Sequence, residues 1–574
     1  MPKRDRLDLL TQHVAAASLG PAARRKKYDV VLCNGRVIDP SSGTDAVLNV
    51  ALLGDKVVAV GPAAQVNPVD AAAVRDCAGC IVCPGFIDLH SHGQNNESAR
   101  LQACDGVTTH LELEVGTYPV EAFLQQREAL GAVINFGSSV GHIPARAAVM
   151  GGAPIPFSVA NDPCCMVETK QFSQGHEVDV ASAAQMKQIV AALGEGLAQG
   201  GIGIGAGIVY TPGAGHKEIY EVIKAVGKHG VSLFVHIRGQ GGRLGLEDFH
   251  EMFANAATSG AAVHICHSLS SGRTFGMSSW KDILEMATRL NTQGVDISLE
   301  QYPYPYGMTN IRTEQSSTWN PMQLLRQVKR TDTGEIISGP AAAQAGRTVD
   351  GSPTEIPGEV LVGGWQMLEG SEFLTEESYN KHYAVGGLAY GHWSDQETAC
   401  MDEAMTNPLV LIASDGIPFV AGQAHPRGAG TFSRFLGLYA REKGLLSWGE
   451  AIRKVTLGPA QRLESFCPAM RTKGRLAVGS DADITVFDPT TIIDRATLAE
   501  PSRASAGIEH VICNGVFVVD GGKETGCLAG RAVRGESQLA TASAERRRKA
   551  PKTTELFSTM LASQKADWLT GFDC

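Results

Sequence analysis

Between residues 84 and 466, short apolar runs alternate with longer stretches whose apolar residues recur every three to four positions. The runs are FIDLHSH (86–92), GVTTHLELE (106–114), AVINFGSSVGH (132–142), GIGIGAGIVY (201–210), VSLFVHIR (231–238), AAVHICHS (261–268), DISLEQYPY (296–304) and PLVLIASD (408–415). Amphipathic segments such as SAAQMKQIVAALGEGLAQ, HKEIYEVIKAVGKHG and KDILEMATRLNTQG stand between them. A short apolar run suits a strand buried on both faces, and a 3.6-residue period suits a helix that covers it. The alternation predicts βα units. Eight of them predict an α/β protein built on a (β/α)8, or TIM, barrel, whose chemistry lies at the C-terminal strand ends. The stretch of about 306–407 between strands seven and eight is too long for a simple connection and is expected to hold an insertion.

On either side the period changes to two. YDVVLCNGRVID, VLNVALLGDKVVAVG and CAGCIVCPG alternate around Asn34-Gly35 and Gly54-Asp55, which are expected to be hairpin turns, and EHVICNGVFVVDGG repeats the texture around Asn514-Gly515. Segments 28–83 and 467–534 are therefore expected to build one small β-sandwich domain beside a catalytic barrel at 84–466. A polar leader at 1–27 and a polar C-terminal extension at 535–574, with its ERRRKAPK run, complete the chain.

Composition narrows the function. A chain of 574 residues with 43% hydrophobic and 19% charged residues can bury a large core, which excludes disorder. Fifty basic against sixty acidic residues leave a net charge of −10 and no basic stripe, so nucleic acid is not an expected partner. Thirteen scattered cysteines point to a reducing compartment rather than a disulfide framework. Asp5, Asp8 and His13 interrupt any signal-like apolar stretch, and no run approaches the ~18 residues of a membrane span. The expectation is a cytoplasmic protein without a membrane partner, its oligomeric state left open.

The titratable residues fall on the expected strand ends. Strand one closes with His90 and His92, strand two with Glu112 and Glu114, strand five with His236, strand six with His264 and His267, and strand eight with Asp415. Residues at i and i+2 of a strand point the same way, so His90 and His92 can chelate one ion together. One strand histidine is ordinarily a packed core residue. Histidines at the ends of several strands converge on one mouth and describe a metal site.

The chain resembles a known family at these residues. PGFIDLHSH after a β-domain is similar to the opening of the amidohydrolase superfamily, and RLAVGSDADITVFDP followed by IEHVICNG resembles its returning β-segment. GIVYTPG, FVHIRGQ, YPYPYGMT, ASDG and AHPRGAGTFSRFLGLYAREKGLLSWGEAIRKVTLGPAQRL resemble one branch, the N-acyl-D-amino-acid deacylases, or D-aminoacylases, including D-glutamate-type members. The resemblance runs from about residue 28 to 533.

It implies one or two zinc ions per chain and a small-molecule N-acyl amino acid substrate. By this resemblance His90, His92 and Asp415 form one metal site, while His236 and His267 hold the tighter one. A side chain from strand two bridges them. Many family members place a cysteine just past GVTT, but here the run is GVTTHLELEVG. A glutamate can bridge two cations through its two oxygens, so Glu114 is the first choice and Glu112 the second. A bound ion acidifies water and polarises the scissile carbonyl, and Asp415 would take the proton and return it to the leaving amine. Tyr210, Tyr302, Tyr304, Arg427, His142 and Arg146 are the implied substrate contacts, Arg427 as a fork for a carboxylate. The family lysine that follows the strand-six histidine is replaced by SLSSG.

Other signals carry less. GIGIGAG lies inside a strand without the acidic partner of a dinucleotide site. Cys77, Cys80 and Cys83 have CxxC spacing but no second pair, so packing is expected there. Two other functions compete with amide hydrolysis of an N-acyl-D-amino acid, with N-acyl-D-glutamate among its candidates. One is a cyclic amide hydrolase of the hydantoinase or dihydropyrimidinase type, whose bridging carboxylated lysine has no counterpart at the ends of strands three and four. The other is a metal-free barrel scaffold, against which the retained histidines and Asp415 argue.

Overall fold

Eight parallel strands follow one another in sequence order: β1 (Phe86–Asp88), β2 (Val107–Thr117), β3 (Asn135–Gly141), β4 (Ile204–Gly207), β5 (Ser232–His236), β6 (Ala262–Ile265), β7 (Ile297–Gln301) and β8 (Val410–Ile412). The computed structural model describes residues 26–151, 178–238, 246–271, 277–310, 400–419 and 424–536, with five further strands between 326 and 392. Most of the expected leader and extension lies outside the described residues. All eleven residues of β2 are buried, as a strand covered on both faces must be. Helices pack outside with the chemistry that starts and stops them: Asn95 caps Asn96–Ala103, Ser182 and Gln185 form a capping box before Ala183–Ala198, and Gly230 ends His216–His229 at φ 65°.

The barrel is nearly closed. Backbone ladders run from β1 to β8, but β8 returns to β1 through a Ser91–Gly416 bridge and through Asp88, whose carboxylate accepts from Ser414 N at 3.0 Å and Ser414 Oγ at 2.5 Å. Side chains stitch this seam.

The two chain ends share a second sheet of nine strands, in which Ile81–Pro84 pairs antiparallel with Ile484–Phe487. Successive residues of its first strand, Tyr28–Asp39, enter two cores: Val30 and Leu32 pack on one face, Val31 and Cys33 on the other. Gly54 at φ 58° and Asn514-Gly515 at 49° and 81° make the expected hairpin turns. Asn34-Gly35 does not. The strand continues through it with a bulge, because Asn34 takes φ 62° while its N–H donates to Asn49 Oδ1. Gly35 is needed there, since a Cβ would lie 2.5 Å from Val82 Cγ2. Cys33, Cys77 and Cys83 are buried free thiols, and the CxxC spacing gathers no three-donor metal group among the described residues. Among these residues no helix is long and apolar enough to cross a membrane.

Between β7 and β8 six strands form an antiparallel sheet, its first strand Tyr306–Asn310 paired with its last, Leu388–His392. Much of the expected 306–407 insertion lies outside the described residues.

One buried cation gives a test of the packing. Lys454, in the helix Trp448–Val455, donates to the Asn407 carbonyl, and burial pushes its ammonium down to about 7. Between pH 7 and the ordinary lysine range the unfolded chain holds a proton that the folded chain has released, so this residue makes stability rise with pH there. Below pH 7 its burial cost is fully present. Lys454→Met should therefore raise the melting temperature most at pH 6–7, with an advantage that shrinks by at most roughly 1.4 kcal/mol per pH unit towards pH 10. Melting curves across that range check it, and a pH-independent difference would show that Lys454 is already solvated.

Candidate metal centre

His90 and His92 lie just past the end of β1, where the His90–Glu112 backbone bridge holds the segment against β2. Each histidine has its Nδ1 on a carboxylate: His90 on Glu300 Oε1 at 2.5 Å, His92 on Glu112 Oε2 at 2.7 Å. Those carboxylates hold the Nδ1 protons and leave both Nε2 atoms as lone pairs. The two Nε2 atoms face each other at 3.1 Å, and Asp415 Oδ1 lies 3.4 Å from each. That spacing suits either a proton shared between the two nitrogens or a metal ion bound by both.

Glu114 stands beside this trio with its two oxygens turned to different partners. Oε2 is 3.3 Å from His90 Nε2 and 3.5 Å from His92 Nε2, whereas Oε1 is 2.8 Å from His267 Nε2 and 3.3 Å from His236 Nδ1. His236 Nδ1 is buried without a hydrogen bond. Three donor sets result among the described residues, His90/His92/Asp415, Glu114/His236/His267 and His90/Glu114/Cys266, with the donor atoms of each within 4.8 Å of one another. Glu112 faces away, accepting from Val115 N and Gly116 N as well as meeting His92.

The electrostatics ask for cations. Glu112, Glu114, Glu300 and Asp415 are all buried around the histidines, and Arg427 pairs with Asp415. Burial disfavours charge on His90 and His92, yet the carboxylates around them raise both well above the ordinary histidine range. Burial would lift Asp415, but Arg427 and His90 hold it well below the usual carboxylate range. Protons and metal therefore compete for the same nitrogens. His267 and Asp415 adopt φ 31° and 50°, on the left-handed side that non-glycine residues enter only occasionally, with aspartate and histidine among those that do so most readily.

Glu300 and its partner His264 extend the network. His264 Nε2 meets Glu300 Oε2 at 2.9 Å and its Nδ1 meets Ser298 Oγ at 2.7 Å, so His264 braces Glu300, which braces His90. Opposing its burial, the two histidines hold the Glu300 carboxyl down at about 2. Sequence spacing alone does not single out Glu300; the available signal is an acid inside a short barrel strand, which must have a buried partner. Glu300→Gln should weaken metal at the His90 side by roughly 10- to 100-fold, measured by chelator competition. An unchanged affinity would reduce Glu300 to a packing role.

The residues expected at the substrate separate into two groups. Tyr210 is half-exposed, its ring 5.1 Å from that of His236, whose side chain is the most open of the donors at 19%. The others lie deeper. Arg427 is buried, with Nη2 2.8 Å from Asp415 Oδ2 and Nε donating to the Asp415 carbonyl at 2.6 Å, and it stacks over Tyr302. Tyr304 donates to Asp494, and His142 and Arg146 both meet Glu218. The geometry brings together His90, His92, Glu114, His236, His267 and Asp415; it keeps Arg427, Tyr304, His142 and Arg146 on protein partners.

Comparison with known proteins agrees with this fold. Residues 362–519 match the model of an amidohydrolase family. The D-aminoacylase of Alcaligenes xylosoxydans xylosoxydans is 28% identical over 543 residues, covering 88% of this chain and 97% of the relative. The N-acyl-D-glutamate deacylase of the same organism is 26% identical over 514 residues, covering 86% and 94%. The crystal structure of the Bordetella bronchiseptica N-acyl-D-glutamate deacylase, complexed with zinc and a phosphonate mimic of the tetrahedral intermediate, superposes with a TM-score of 0.65 at 24% identity, covering 88% of this chain and all of that one.

Proposed function

We propose, from its similarity to an amidohydrolase family over residues 362–519 and to D-aminoacylase and N-acyl-D-glutamate deacylase over most of its length, that the chain is an amidohydrolase that cleaves the amide of N-acyl-D-amino acids to a carboxylate and a free D-amino acid. The observation that carries this is Glu114, whose two oxygens each face a separate pair of histidines beside an ionised aspartate. His90, His92 and Asp415 on one side, and His236 and His267 on the other, would hold zinc, with Glu114 between. Zinc there supplies Lewis acidity, making water nucleophilic at neutral pH and polarising the scissile carbonyl.

The chain's own residues do the rest. Asp415 accepts a proton from the attacking water and delivers it to the amine nitrogen as the carbon–nitrogen bond breaks, so it must start ionised. Arg427 keeps it so and fixes its orientation from behind. Glu300 and Glu112 hold the Nδ1 protons of His90 and His92 and prevent the rings from turning. Tyr210 borders the open side, where a substrate would enter.

This role for Arg427 predicts that Arg427→Leu lowers kcat by ~10- to 100-fold, the equivalent of one charged hydrogen bond, and does so equally for a substrate and its carboxamide analogue. A loss confined to carboxylate substrates would return the guanidinium to substrate binding. The function itself is tested by amine release from matched N-acetyl-D- and N-acetyl-L-amino acids, N-acetyl-D-glutamate included. Turnover of D-members well above their L-counterparts is expected; turnover of hydantoin or dihydrouracil in their place would overturn the proposal.

A further inference from the structure

β6 carries one more donor into the centre. Cys266 comes immediately after the last residue of β6 and immediately before His267, and its side chain is buried. Its sulfur, a His90 nitrogen and a Glu114 oxygen all lie within 4.8 Å of one another. His236 Nδ1, a buried nitrogen without a hydrogen bond, faces Glu114 from the other side. Around the same glutamate the structure thus places both a sulfur and an unsatisfied nitrogen.

We propose that Cys266 is a metal ligand beside His90 and Glu114. Beside the nitrogen of His90 and the oxygen of Glu114, the Cys266 sulfur is the soft donor of this group. Cys266 approaches from the closed side of the centre, 1% exposed, whereas His236 and Asp415 form its open side. A thiolate donor there favours zinc over magnesium or manganese and leaves the open side to substrate. Ligation releases the thiol proton to solvent. The inference rests on the metal reading of the centre and not on the identity of the substrate.

Two spectroscopic measurements test it on the full chain. Zinc-loaded protein should show a zinc–sulfur shell near ~2.3 Å in X-ray absorption, and cobalt-loaded protein a near-ultraviolet thiolate-to-cobalt charge-transfer band. Both signals should disappear in Cys266→Ser and in Cys266→Ala, with circular dichroism and metal content confirming folded, loaded protein. Metal bound through nitrogen and oxygen alone in the parent, or sulfur signals that survive both substitutions, would overturn the proposal and leave amide hydrolysis standing. Failure of the parent to retain zinc or cobalt would overturn both.

Discussion

Asp415→Asn is expected to lose turnover by ~10²-fold or more while the barrel stays folded. Asparagine has the size of aspartate and tolerates the left-handed region, so the φ of 50° at this position survives the change. The charge does not. The amide cannot accept the proton of the attacking water, and Arg427, buried against Oδ2, loses its ionic partner. Some loss of stability should accompany this, because an uncompensated buried charge is costly. Metal at Glu114, His236 and His267 should remain. Steady-state kinetics together with elemental analysis separate these effects: near-normal kcat in fully loaded protein would remove Asp415 from proton transfer.

The second large effect concerns the two glutamates of β2. Glu114→Gln should strip metal from both halves of the centre and abolish activity, because an amide offers one oxygen where a carboxylate serves two histidine pairs. Glu112→Gln should retain most of its metal, with affinity lowered roughly 10- to 100-fold, since the one histidine atom Glu112 meets is the far nitrogen of His92. The parent is expected to hold close to two zinc ions per chain after growth with ample zinc. Elemental analysis of the three proteins decides it. A single ion in the parent would end the binuclear proposal, and a reversed order of the variants would move the bridge to Glu112.

The barrel and the side chains gathered at its mouth were legible in the sequence because both follow local rules. Eight apolar runs with polar residues at their C-terminal ends announce strands and a mouth, and the i, i+2 spacing of Glu112 and Glu114 puts both on one face of β2. Which of the two lies between the two groups of histidines is not reported by any sequence pattern; the β2–β3 register shifts between Glu112 and Thr117, around both residues' strand end. Glu300 was hidden by distance, since 210 residues separate it from His90. Arg427 shows the opposite difficulty. Its guanidinium is plain in HPRG, but its partner is the backbone and carboxylate of Asp415, twelve residues earlier across a loop. His142 and Arg146 look like ligand contacts until Glu218, in the first turn of a distant helix, takes both.

The sheet shared by the two chain ends has a consequence for how the protein is made. Pro84 and Ile81 pair with Ile484 and Phe487, so the edge of Ile81–Pro84 waits for a partner that lies 400 residues further along the chain. At ~5–20 residues per second the ribosome takes roughly 20–80 s to deliver it. For that interval the first strands expose backbone donors and acceptors beside an apolar face, a template for pairing with a neighbouring nascent chain. Val30, Leu32, Val37 and Val82, packed in the finished molecule against Ile484 and Val486, are then the surface on which a chaperone has most to gain.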